Sequence, residues 1–301
     1  MGARQNGDGS CENVARSGQS SLHGIEPDRC EDPRPDRVGG MPKAVIIIPC
    51  FNEESRLDVR EFHDFSEENP DVHILFVDDG STDGTGEKLE ELCRDHPDRM
   101  EWIRLERNSG KAEAVRTGFL KAFEDDFRNI GYWDADLATP LHVIPRFCEI
   151  LETPGLTMVM GARVRLLGRK IRRRAARHYL GRIFATGASM VLGLPVYDTQ
   201  CGAKIFKNTR ELRMVFSRPF QVKWTFDVEI LARFRILERF LDTPPVRESC
   251  VEYPLEEWVD VPGSKLGTTD FLRGAMELYR IFVFFRLPGG KERADALCGM
   301  E

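Results

Sequence analysis

No two of the 8 cysteines in this 301-residue chain stand at C-x-x-C spacing, although they run from Cys11 to Cys298. Nothing therefore suggests a zinc motif or a secreted disulfide framework, and a reducing cytoplasm is the simplest expectation. No apolar run approaches the roughly 18 residues of a membrane-spanning helix, and residues 1–40 hold no apolar signal-peptide core. A soluble or peripheral protein is expected. An excess of positive charge is missing too. Lys+Arg 43 against Asp+Glu 49 leave a formal charge of -6, which argues against a nucleic-acid binder relying on overall charge. No internal repeat is present.

What is present is an alternation of strand and helix patterns. Residues 1–40 are polar, rich in Gly, Ser, Asp, Arg and Pro, and read as a disordered tail. Order begins at Lys43. Ala44–Ile48 is a short, mostly β-branched apolar run, the pattern of a strand buried on both faces. His73–Val77, Glu101–Leu105, Ile130–Trp133 and Thr157–Met160 read as four further strands. Between them Leu89, Leu92 and Cys93, then Val115, Phe119, Ala122 and Phe123, recur at helical spacing. The alternation predicts an α/β fold whose mostly parallel central sheet carries helices on both faces, with ligands beyond the carboxyl ends of the strands.

The acidic clusters fall at those ends. Asp134 and Asp136 follow the fourth strand, and in extended backbone residues two apart point to one side. Two carboxylates held that way suit Mg²⁺ or Mn²⁺, hard ions that take oxygen ligands and substrate phosphates. A metal there would neutralise a diphosphate leaving group. Alone, D-x-D in an acidic chain also arises by chance or as a helix cap. Here it is joined by Pro49-Cys50-Phe51-Asn52-Glu53-Glu54 after the first strand, Asp78 to Thr85 after the second, and Asn108-Ser109-Gly110-Lys111 after the third. Each precedes a helix, which gathers polar side chains and free helix N–H groups on one rim. Ordinary turn and capping chemistry uses the same residue types.

From Val45 to Ala162, through IIIPCFNEE, FVDDGSTDGT, NSGKAEAVRTG and YWDADLATP, the chain resembles the family 2 glycosyltransferases of GT-A fold. A further stretch resembles the branch of dolichyl-phosphate β-glucosyltransferases and polyprenyl-phosphate relatives: Gly161-Ala162-Arg163, Asp198 to Lys204, Trp224 to Glu229, and Trp258 with Pro262-Gly263-Ser264-Lys265. The resemblance implies that Pro49, Asn52, Glu54 and Asp79 line the uridine pocket, that Lys111 sits near the nucleotide, and that Asp134 and Asp136 manage metal and diphosphate. Two departures stand out. The family's helix opening often reads Gly-Lys-Gly-Gly, whereas here Ala112-Glu113 follow Lys111, adding bulk and a carboxylate. Ala138 stands where mannosyl-transferring relatives often carry Gln, which favours glucose.

From Gly161 to Tyr197 there is no acidic residue, while Arg163, Arg165, Arg169, Lys170, Arg172, Arg173, Arg174, Arg177 and Arg182 crowd the first part. Ile183–Tyr197 then carries no charge. A basic cluster beside an apolar segment fits an anionic membrane surface and a phosphate-bearing lipid; a solvated Arg-rich loop before a core helix is the alternative. RNA is disfavoured because aromatics are nearly absent between the arginines. Arg163 and Arg177, with Gln200 of the Asp198–Lys204 stretch, are the candidates for holding an acceptor phosphate. An apolar helix near Phe271–Phe285 suits a membrane interface, a homo-oligomer or membrane-protein contact, or the core.

The expected organisation is a tail (1–40), a catalytic domain (41–266), this helix (267–287) and a final tail (288–301). The expected activity is inverting transfer of a hexose, glucose from UDP-glucose, to a polyprenyl or dolichyl phosphate on the cytoplasmic face of a membrane. Two alternatives remain: a sugar or other hydroxyl acceptor, with Asp227 as base, and an inactive nucleotide- or lipid-binding protein on the same scaffold. Under the lipid reading Asp227 is expected to hold the donor sugar or an acceptor-site arginine.

Overall fold

The structure, a computed structural model, describes residues 43–172, 175–259 and 268–286, without side chains at 172–179, 268–271 and 286. The expected tails 1–40 and 288–301, Arg173, Arg174, the Pro262–Lys265 stretch and the side chains of Arg172, Arg177 and Phe271 lie outside it.

The elements run β1 (Ala44–Cys50), α1 (Val59–Glu68), β2 (Val72–Asp78), α2 (Thr85–Asp95), β3 (Met100–Arg104), α3 (Lys111–Ala122), β4 (Asn129–Trp133), a 3₁₀ turn (Leu141–Val143) and α4 (Ile144–Leu151). There follow β5 (Met158–Ala162), β6 (Lys170–Arg172), α5 (Ala175–Leu192), β7 (Ala203–Lys207), α6 (Arg210–Ser217), α7 (Phe226–Phe240), α8 (Val246–Ser249), β8 (Cys250–Pro254), β9 (Glu257–Val259) and α9 (Thr268–Arg286). Seven strands form one sheet in the order β3-β2-β1-β4-β7-β5-β8, and β6 pairs with β9 separately. The β3-β2-β1-β4 half and the β5-β8 pair are parallel. The sheet is thus mostly parallel, as expected, but β7 runs antiparallel between β4 and β5.

The strand patterns mean what they suggested. Every residue of β2 and β4 is buried, because helices cover both faces of the sheet. One core layer joins Ile47, Val77 and Tyr132 to Val115 and Phe119 of α3 and to α5–α7 and α9; the other joins Ile48, Phe76 and Trp133 to Phe62, Leu89 and Phe147. Gly118 is required here, since a Cβ would lie 2.5 Å from Ile47 Cγ2. Helix α9 buries Leu278, Ile281 and Phe285 in the first layer and exposes Leu272, Met276 and Tyr279. Among the described residues no helix is long and apolar enough to cross a membrane.

Candidate active site

The loops after β1 and β2 are stitched to each other. Asn52 takes a left-handed backbone (φ 53), and its amide oxygen accepts the Thr82 N–H at 2.9 Å, while its own N–H donates to Ser81 Oγ at 3.0 Å. The Glu54 carboxylate accepts the Gly84 N–H at 3.0 Å, and Glu53 N–H donates to Thr85 Oγ1 at 2.8 Å. Gly80 (φ 69) passes the third loop so closely that a Cβ would lie 2.6 Å from the Arg107 carbonyl carbon. Pro49 is half-buried at the end of β1. Asn52 and Glu54 therefore fix the second loop against the first.

Asp79 ties in the third loop. Its two carboxylate oxygens accept the N–H groups of Ser109 at 2.7 Å and Gly110 at 2.8 Å. Burial raises its pKa, although these two bonds hold it back. Gly110 (φ 96) precedes α3, and a Cβ built there would meet nothing within 4 Å, so open space faces the helix N-terminus. The next residue, Lys111, is half-exposed and ion-paired with Asp134. Burial pulls the Lys111 pKa down, but the charges of Asp134, Asp227 and Asp136 outweigh it and leave it raised. The chain from Asp79 through Gly110 and Lys111 to Asp134 thus brings the rim and the D-x-D pair together.

Asp134 is fixed by its backbone N–H, which donates to Gly202 O at 3.0 Å. A Cβ on Gly202 would lie 1.9 Å from Asp134 Oδ2, so only glycine leaves the carboxylate room. Asp136 accepts the Ala138 N–H at 3.1 Å across Leu137, which is held at φ 52. For a branched apolar residue that conformation is strained, and such strain gathers at functional sites. Burial, then the neighbouring Asp134 charge, raise the Asp136 pKa. Among the described residues no three His, Cys, Asp or Glu form a ready metal cage. Two carboxylates two residues apart, both partly exposed, fit a hard divalent ion that keeps waters or phosphates as its other ligands.

Several expectations need correction. Asp227 is buried and holds neither an arginine nor open ground: its Oδ1 accepts the Tyr132 hydroxyl and, at 2.5 Å, the buried Lys204 ammonium. Arg163 does not reach out for a phosphate, because its guanidinium grips Asp198 at 2.6 and 2.7 Å and lies 5.3 Å from the Trp258 ring. Arg177 lies outside the described side chains. Gln200 keeps a buried Nε2 with no hydrogen-bond partner, and the buried Thr199 hydroxyl beside it is also unpaired. Part of the arginine cluster is neutralised: Arg169 pairs with Glu256, Lys170 with Glu257, and Arg182 stacks on Tyr197 at 3.7 Å. The two departures after Lys111 are harmless, since Ala112 faces the core and Glu113 pairs with Arg116 at 2.8 Å.

Two further charges act on the site weakly: Arg56, ion-paired with Glu53 at 2.5 Å, slightly opposes the raised pKa of Asp136, and Lys223 that of Asp79. Lys204 had a legible signal: a lysine inside the apolar strand Ala203–Lys207 demands a buried carboxylate.

A two-carboxylate rim at the carboxyl edge of a parallel half-sheet, next to a glycine-opened helix N-terminus, defines the nucleotide-diphosphate class of site. Residues 45–216 match the model of glycosyl transferase family 2, and the chain belongs to that family. A dolichyl-phosphate beta-glucosyltransferase of Trichomonas vaginalis is 29% identical over 270 residues, 83% of this chain and 74% of the relative. The mouse (Mus musculus) protein of that name is 30% identical over 244 residues, 73% of this chain and 68% of its own. Among solved structures, a Pyrobaculum calidifontis mannosyltransferase in complex with GDP-Man and Mn²⁺ superposes with a TM-score of 0.55 at 18% identity, covering 86% of this chain and 68% of its own. A glucosyl-3-phosphoglycerate synthase from Mycobacterium tuberculosis, in complex with UDP, gives 0.54 at 16%, covering 84% and 80%. At those identities the structures speak for the fold, a GT-A-like one.

Proposed function

We propose that this glycosyltransferase moves a hexose, glucose from UDP-glucose, onto a polyprenyl or dolichyl phosphate at a membrane surface, with inversion at the anomeric carbon. The observation that carries the reading is the continuous link from Asp79 through Ser109, Gly110 and Lys111 to Asp134. This link supports a reading in which a nucleoside-binding rim and a diphosphate-binding carboxylate pair belong to one site. The names of the relatives point to the same donor and acceptor class.

In this reading the stitched loops around Pro49, Asn52, Glu54 and Asp79 hold the nucleoside, and the α3 N-terminus with Lys111 faces the diphosphate. Asp134 and Asp136 would hold Mg²⁺ or Mn²⁺, which supplies charge neutralisation to the leaving diphosphate. An oxygen of the acceptor phosphate bonds to the anomeric carbon as the bond to the diphosphate oxygen breaks, and UDP departs with the electron pair. A phosphate monoester, with a second pKa near about 6, is largely dianionic at neutral pH and needs placement more than a base. The state of Asp227 agrees: a carboxylate already bonded to Tyr132 and Lys204 is ill-suited to take a proton from a hydroxyl acceptor. The exposed Leu166 and Leu167, next to Arg165, favour an acceptor embedded in an anionic membrane.

The test is incubation of purified protein with Mg²⁺ or Mn²⁺, a panel of nucleotide sugars and a short polyprenyl phosphate, followed by mass analysis of the lipid. A hexosyl-phosphate lipid formed from UDP-glucose is the expected product. Transfer only to soluble sugar hydroxyls, or none to any acceptor, would overturn the reading.

A further inference from the structure

The last described helix reaches into the active site through one carboxylate. Glu277, in the middle of α9, is only 8% exposed. It accepts the backbone N–H groups of Trp224 at 3.0 Å and Thr225 at 2.8 Å, a longer one from Lys223 at 3.4 Å, and the Thr225 hydroxyl at 3.0 Å. Thr225 is the N-cap of α7, yet its own side chain makes no capping bond to the helix. Asp227 and Glu229 already put negative charge in the first turn of α7; Glu277, 52 residues beyond Thr225, adds the hydrogen bonds that tie down the turn leading into it.

The segment so held is the back wall of the site. Phe226, the first residue of α7, lies 6.0 Å from the Lys111 ammonium, and Asp227, the next, takes Tyr132 and Lys204. Gly274, one turn before Glu277, lets the Trp224 ring lie against α9, where a Cβ would come within 2.3 Å of Trp224 Cζ3. Phe184 of α5 closes edge-on upon the same ring at 5.5 Å. The nucleoside loops after β1 and β2 are stitched to each other and are not bonded to Glu277.

From this geometry we propose that Glu277 is a positioning residue for sugar transfer. It sets the first turn of α7, and with it the positions of Phe226 and of Asp227 against Tyr132 and Lys204, without touching the nucleotide. The inference rests on the function proposed above for the reacting site.

Glu277→Gln should lower kcat on the order of tenfold to hundredfold, as small displacements at a reacting centre do, while the affinity for UDP stays within about twofold of wild type. Combined with Asp227→Asn, its effect should be less than additive, because both act on one unit. Glu277→Asp, which keeps the charge, should recover part of the loss, and it carries the test should Glu277→Gln not fold. Ile281→Ala, buried on the same helix face but away from the 223–225 turn, is the control for destabilisation and should keep kcat. Unchanged kcat in Glu277→Gln, an equal fall in Ile281→Ala, or full additivity with Asp227→Asn would overturn the proposal. Hydrogen exchange gives an answer that does not depend on activity. The amides of Trp224 and Thr225 and the first turn of α7 should lose protection in Glu277→Gln while β1 and β2 do not, and unchanged protection would refute the role. Should the wild type turn over no nucleotide sugar, the functional reading fails, and exchange alone decides whether Glu277 orders this turn.

Discussion

Lys111 competes with any cation for Asp134. Its ammonium already occupies a carboxylate oxygen that a divalent ion would want, yet the same charge favours an incoming diphosphate. Lys111→Ala should therefore bind Mn²⁺ alone several-fold more tightly, while losing about tenfold in affinity for UDP with Mn²⁺, as expected for one charge-assisted hydrogen bond. Paired titrations of metal and nucleotide check both signs. Asp227 has a different task. Replacing it by Asn leaves the Lys204 ammonium buried without its counter-charge, and breaking such a pair costs roughly 3–5 kcal/mol. Chemical denaturation of Asp227→Asn should show that loss, with Lys204→Met in the same chain restoring part of it. The pKa values of Asp79 and Asp136 are both raised, chiefly by burial. Each then takes up its proton at a higher pH than an ordinary Asp, whose value is 3.8. Affinity for UDP with Mn²⁺ should weaken as pH falls and should start to do so above that value, most visibly by calorimetry across a pH series.

Among the elements, the parallel half of the sheet was legible because its strands are apolar on both faces and its helices carry the 3.6 period. Strand β7 was hidden. A lysine in Ala203–Lys207 breaks the apolar run, and only the distant Asp227 makes its burial tolerable, a fact that no local pattern contains. The roles of Arg163 and Glu277 were hidden for the same reason, since each is defined by a carboxylate or a turn far away in sequence. The loop before β7 gives a sharp prediction. Gly202→Ala puts a methyl where the Asp134 carboxylate lies, within 1.9 Å of Oδ2. The variant should fold but, on the proposed role of Asp134 as a metal ligand, bind Mn²⁺ and UDP at least tenfold more weakly; equal binding would show that Asp134 has no part in the site.

For the whole molecule, apolar surface is exposed in identifiable places. Leu166 and the fully exposed Leu167 project beside Arg165, Ile183 and Met190 stand out from α5, and Leu272, Met276 and Tyr279 form an outward stripe on α9. Apolar tips next to cations suit an anionic bilayer surface. Leu167→Glu should reduce sedimentation with vesicles containing anionic lipid and reduce turnover of a lipid acceptor, leaving UDP binding intact. Everything in the proposed chemistry depends on the pair Asp134 and Asp136 holding a cation that holds a nucleoside diphosphate. Calorimetric titration of UDP into wild type and Asp136→Asn, with Mn²⁺ and with chelator, tests that directly. Tight binding by wild type only with Mn²⁺, lost in the variant and in chelator alike, is the expected result; equal affinity in all four titrations would contradict it.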